Sequence, residues 1–199
     1  MPSTMIHLAV AHEIEPEGPG LFWVGNFAPD YTNDRALKDH IHLRDAADRW
    51  AALAKLNSEL DPANPFERGW LMHLFTDACW DEHFISDFRD WYLASHADEN
   101  WFQAYREEIG LDTYYLYHRE PWAKEVWRRI ERADLDEVAT TLPIAPAENR
   151  WYRDRVAERH ASSDPASAPR FFTLDMLEGF RQTTAERYRK WREALEAAT

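Results

Sequence analysis

The stretch Gly69-Trp-Leu-Met-His-Leu-Phe-Thr-Asp-Ala-Cys-Trp-Asp-Glu-His-Phe84 constrains the rest of the chain most, because it reads as one helical segment carrying His73, Asp77 and His83 on a largely apolar background. Residues four apart on a helix lie about 40° apart around its axis, so His73 and Asp77 project from one face and can share a cation. His83 follows a further turn and a half along and is rotated away from Asp77, which assigns it to a second ion. The alternative is a buried His73–Asp77 hydrogen bond with a solvated His83.

Helices are what the composition favours. Only six glycines in 199 residues argue against a barrel or sandwich full of tight turns, and a 45% hydrophobic, 14% aromatic chain describes a packed globule. That length predicts a single domain over 1–199, large enough to bury a core without disulfides. The ten tryptophans are expected to pack between helices. A formal net charge of -13 argues against a long nucleic acid as partner. Two or three divalent ions would offset several of those charges and leave a positive focus able to hold a phosphate. Cys79, the single cysteine, excludes an intrachain disulfide and reads as a small packing residue. Met1 to Val10 has neither a basic flank nor a long apolar run, so the expectation is a cytoplasmic protein with no stable membrane insertion.

Along the chain, Ser3 or Thr4 can cap a helix over Met5–His12 that turns His7 inward. Glu15–Gly20 breaks it, and Leu21–Tyr31 is an apolar run ending in a turn that carries Asp30, a ligand or else the N-cap of the next helix. Arg35–Leu60 has the period of one amphipathic helix, with Leu37, Ile41, Ala47, Trp50, Leu53 and Leu56 on its apolar side. Of His40 and His42 in that helix, only one can face inward. The central helix is expected over Phe66–Leu93. Short helical pieces over Trp101–Ile109 and Thr113–Tyr117 follow, then helices up to Arg132, over Asn149–His160 and over Thr173–Ala197. The last has Leu174, Leu177, Phe180, Tyr188, Trp191 and Leu195 as its inward candidates. His12 and His160 read as surface or supporting residues.

His7, Asp30, His42, His73, Asp77 and His83 together are nitrogen and oxygen ligands from several inward-facing segments. Zinc suits that set, other divalent metals remain possible, and the lack of cysteine ligands argues for an open, catalytic site. A ferritin-like di-iron site needs Glu-x-x-His pairs, which this chain does not have.

The pieces Met1-Pro-Ser-Thr with His7, Gly25-Asn-Phe-Ala-Pro-Asp30, Lys38-Asp-His-Ile-His-Leu43 and Gly69-Trp-Leu-Met-His-Leu-Phe-Thr-Asp77 occur in that order. In them the chain resembles the zinc-dependent phospholipase C family, in particular its intracellular branch. The resemblance implies the all-α helical bundle shared with secreted phospholipases C and fungal single-strand zinc nucleases, and hydrolysis of phosphodiesters with up to three zinc ions. By motif position Asp30, His42, His73 and Asp77 would hold one ion, with Asp77 bridging to a neighbour that His7 also binds. His42 rather than His40 takes the place of the family's Lys-x3-His histidine. His83 would open the remaining zinc site, completed by His96 with Glu99, or by His118 with Glu120. The amine of an N-terminal Trp, used by the secreted enzymes, has no counterpart here, so the third ion is expected to be weak or absent.

The function expected on these grounds is a metal-dependent phosphoesterase in which a metal-activated water attacks phosphorus, with Asp30 and Asp77 as the catalytic carboxylates. Its substrate would be a small soluble phosphoester or a phospholipid-like one. The alternative is a metal-dependent domain that binds a phosphorylated ligand without turning it over.

Overall fold

The computed structural model describes residues 2–96, 100–162 and 169–197. The chain begins with α1 (Thr4–Ile14) and α2 (Gly20–Phe27), followed by a 3-10 turn over Ala28–Asp30, α3 (Arg35–Ile41), α4 (Arg49–Glu59) and the long α5 (Pro65–Ser95). It continues with α6 (Trp101–Arg119), α7 (Ala123–Arg132), a 3-10 turn over Leu135–Glu137, α8 (Pro146–Ser162) and α9 (Leu174–Ala197). The fold is all-α, with no strand among the described residues. No helix among them is long and apolar enough to cross a membrane.

The central helix starts where its sequence demands. Pro65 occupies the first turn, where its missing N–H costs nothing, and the Asn64 side chain accepts from the Phe66 amide at 3.0 Å. From Gly69 to Trp80 every residue of α5 is buried, as a helix apolar around most of its circumference requires. Helix α1 packs against α2, α5, α6 and α9, while α2 lies along α5 and α7. The crossing of α2 on α5 is backbone to backbone. A Cβ on Gly25 would collide with the Phe66 carbonyl oxygen, and one on Gly69 with the Phe22 carbonyl oxygen. Aromatic packing fills the space around this axis: Trp80 meets Phe84, Phe172 and Phe180, and Phe75 meets Tyr188 and Trp191 of α9.

Several sequence expectations are corrected. The single helix over Arg35–Leu60 is two, because Leu43 adopts a φ of 56° and the Asp48 side chain accepts from the Ala51 amide at 2.9 Å, capping a new start. A side chain that bonds the backbone locally competes with helix continuation, and an apolar period does not register such a cap. Ala47, assigned to the apolar side, falls in this break and is exposed. The pieces over Trp101–Ile109 and Thr113–Tyr117 are instead one helix running through Gly110. Leu174, an inward candidate of the last helix, is 43% exposed. Cys79 is a packing residue as read: burial pushes its thiol up to about 12, so it stays protonated.

His160 is in the core, not on the surface. Its ring stacks on Tyr117 at 4.1 Å and meets the Trp127 ring edge-on at 4.7 Å. Burial, then the nearby His118 and Arg159, hold its pKa down to about 3. The folded state therefore keeps His160 neutral. Below the ordinary value near 6.5 the unfolded chain binds a proton that the folded chain refuses, so stability falls as pH drops toward 3. Between pH 7 and pH 5 this group should remove about 2 kcal/mol of stability. Urea unfolding at both pH values should show that loss shrinking by a similar amount in a His160→Phe variant; an unchanged difference would remove His160 as its source.

A buried histidine and carboxylate cluster as candidate metal centre

Four segments of chain converge beside the middle of α5. His7 comes from α1, Asp30 from the 3-10 turn after α2, His42 from the C-cap of α3, and His73 and Asp77 from successive turns of α5. His7, His42, His73 and Asp77 are fully buried and Asp30 is 6% exposed. The caps explain how the side chains are delivered. Asp34, not Asp30, caps α3 by accepting from the Leu37 amide at 3.1 Å, which leaves Asp30 free to face inward. At the other end of α3 the helix stops at His42, whose side chain turns into the core while exposed His40 pairs with Asp45 at 2.8 Å.

The histidine tautomers follow from the hydrogen bonds. His73 Nδ1 lies 2.7 Å from the Asn26 carbonyl oxygen, and His42 Nδ1 lies 2.7 Å from that of Lys38. A carbonyl only accepts, so both Nδ1 atoms carry protons and both Nε2 atoms are left to face the centre. Those two Nε2 atoms are 3.1 Å apart. Without a proton or a cation between them two such nitrogens repel. His7 stacks on His73 at 3.8 Å, and neither of its ring nitrogens has a hydrogen-bond partner. Asp77 Oδ1 is likewise buried without one. Ligand atoms of His7, Asp30 and His73 all lie within 4.8 Å of one another, the one such group of three or more potential ligands among the described residues.

Charge states fit cation binding. Burial, then His73, lowers the His7 pKa well below its ordinary value, and burial holds His73 down to about 4, so both rings are neutral. Burial pushes Asp30 up, but Lys38 Nζ, 2.8 Å from Oδ1, and His42 outweigh it and keep the carboxyl ionised. Asp77 follows the same logic, its burial outweighed by Arg44 and then His42. Neutral imidazoles and ionised carboxylates are the protonation states that a metal requires of its ligands.

Composition and spacing did not reveal the basic groups around this centre. Arg44 Nη2 meets Asp77 Oδ2 at 2.5 Å, and Arg49 Nη2 reaches the same oxygen at 3.2 Å. Both also bond Asp81 Oδ2, through Arg44 Nε at 2.9 Å and Arg49 Nη1 at 3.0 Å. Asp81 stands four residues after Asp77 and shares its face, a spacing that could have pointed to it.

His83 and His96 stand apart from the cluster. His83 is exposed; it sits about 9 Å along α5 from Asp77 and about 240° round the axis. His96 ends the same helix, roughly 35 Å along it from His73, with its ring stacked on Tyr92 at 4.1 Å. Neither can share an ion with His73, because a straight helix holds them too far away or on another face. Glu99 lies outside the described residues. His118 and Glu120 bond elsewhere, His118 Nε2 to the His160 carbonyl oxygen at 3.0 Å and Glu120 Oε2 to the Trp122 indole at 2.9 Å. Comparison with known protein families, curated proteins and solved structures found no match for this chain.

Proposed function

We propose that the protein is a metal-dependent phosphoesterase whose cation is held by His7, Asp30, His42, His73 and Asp77. The observation that carries this reading is the pair of Nε2 atoms of His42 and His73 facing each other at 3.1 Å beside the unpartnered ring nitrogens of His7. Buried polar atoms without partners cost about 1–3 kcal/mol each, and a cation with these ligands removes that cost. Zinc is the ion we propose, with other divalent metals as competitors. The ordered motifs that resemble the zinc-dependent phospholipase C family support the reaction class. A cytoplasmic setting and a small phosphodiester substrate, soluble or phospholipid-like, belong to the same proposal.

The chemistry such an ion supplies when bound is Lewis acidity toward a phosphoryl oxygen and a lowered pKa for a water molecule. The chain's own residues do the rest. Asp30, kept ionised by Lys38, would orient a water or take its proton. Asp77 stays anionic through Arg44. Backbone carbonyls of Asn26 and Lys38 fix the tautomers of His73 and His42.

One observation favours a non-catalytic domain, the phosphate-binding one included, as the second reading: every proposed ligand is at most 6% exposed, which keeps an ion there from the close approach that turnover of a substrate demands. Steady-state assays separate the two. Zinc-loaded protein should hydrolyse a small phosphodiester such as bis-p-nitrophenyl phosphate, lose the activity to a chelator and regain it with zinc. Zinc-dependent calorimetric binding of inorganic phosphate with no turnover of any phosphodiester would replace the enzyme reading by the binding one.

A further inference from the structure

By the resemblance of its motif, Asp77 is the carboxylate expected to bridge to a second ion in a multinuclear centre. In this chain its Oδ2 atom is already taken by two guanidinium groups, at 2.5 Å from Arg44 and 3.2 Å from Arg49. Neither guanidinium is a loose surface group. Arg49 uses every nitrogen: Nε donates to the His42 carbonyl at 3.0 Å, Nη1 to Asp81 at 3.0 Å and Nη2 to Asp77 at 3.2 Å. Arg44 adds Nε to Asp81 at 2.9 Å, and its Nη1 lies 3.7 Å from Asp39. The result is a square of two carboxylates from one face of α5 and two guanidiniums, Arg44 from the break between α3 and α4 and Arg49 from the first residue of α4. Its charges cancel, as a partly buried cluster requires.

Resting on the metal-centre reading above, we propose that the site holds a single divalent cation and that the Arg44–Arg49 pair occupies the position on Asp77 that a second cation would need. Two guanidiniums there carry the charge of one divalent ion and satisfy the carboxylate with directed hydrogen bonds. A cation brought to the same oxygen would face both at close range and be repelled. Asp77 Oδ1, buried and without a hydrogen-bond partner, is the oxygen of that carboxylate the arginines leave open. The stretch from His42 to Arg49 thus delivers a ligand and, through Arg44 and Arg49, limits the number of ions. The placement of His83 and His96 agrees, since neither reaches the cluster along α5.

Metal stoichiometry tests this without any assay of turnover. The full chain, saturated with zinc and desalted, should carry one zinc by elemental mass spectrometry. A manganese-loaded sample should give the hyperfine spectrum of isolated ions. Replacing both arginines, Arg44→Met with Arg49→Met, strips the counter-charges from Asp77 and Asp81, and the folded variant should take up a second ion with an exchange-coupled manganese spectrum. Arg44→Lys with Arg49→Lys keeps the charge and should stay at one. If the methionine variant does not fold, the wild-type count and the lysine variant decide. Two or more coupled ions in the wild-type chain, or one ion in a folded methionine variant, would overturn the single-ion centre and leave the metal reading intact. No zinc in the wild-type chain would overturn the metal reading itself.

Discussion

The His73→Ala chain is expected to lose the zinc binding and the phosphodiesterase activity proposed for the wild-type protein, while remaining folded. His73 supplies the Nε2 atom that faces His42 and also belongs to the group formed with His7 and Asp30, so its removal takes a ligand from the middle of the cluster. Losing an outer partner of a ligand typically weakens metal affinity about 10–100-fold, and loss of the ligand itself should exceed about 100-fold. Asp77→Ala should have the same effect on zinc with a larger cost in stability. It would leave Arg44 and Arg49 without the carboxylate they share, and breaking a buried pair from one side costs about 3–5 kcal/mol. Equilibrium dialysis against buffered zinc, with far-ultraviolet circular dichroism as the check on folding, measures both. A His73→Ala protein with wild-type zinc content and activity would sink the assignment of the centre.

Gly69→Ala is expected to destabilise the fold by at least about 3 kcal/mol, a large share of the roughly 5–15 kcal/mol that holds a typical domain together. The added methyl group would meet backbone, the Phe22 carbonyl oxygen and the Asn26 amide nitrogen, and not the movable end of a side chain. Helix α2 would have to lift off α5, taking Asn26 and, through it, the carbonyl that orients His73. Gly25→Ala makes the reciprocal clash with Phe66, so the two substitutions should be less than additive: once the helices have parted for one methyl group, the second costs less. Gly110 and Gly179 provide the contrast. Both lie in helices, and a methyl group added at either would meet nothing within 4 Å, so alanine there should stabilise by about 0.5–1 kcal/mol. Urea unfolding of the four single variants reads all of this, and a neutral Gly69→Ala would show that the two helices do not touch through their backbones.

The pattern of residues by itself determined the helical character, the central segment, the inward faces of His7, His73 and Asp77, and that only one of His40 and His42 turns inward. Each follows from local rules: a 3.6-residue period, a shortage of glycine and a four-residue ligand spacing act within one or two turns of chain. The same rules failed where a side chain bonded its own backbone. Asp48 starts a helix where the apolar period runs on uninterrupted, and Asp34 takes the capping role that the sequence left open for Asp30. Spacing along α5 could not place His83 and His96, because whether a histidine meets a distant partner depends on which face of a straight helix its neighbours cover. Nor could it find the arginines. Arg44 and Arg49 precede Asp77 and Asp81 by about thirty residues, and only the packing of the α3–α4 break and the start of α4 against α5 brings the four charges together. Which histidines and carboxylates come together was therefore partly legible in the chain, whereas what surrounds them was decided by tertiary structure: burial makes an unpaired polar atom or carboxylate costly, and the fold decides which groups are present to answer it.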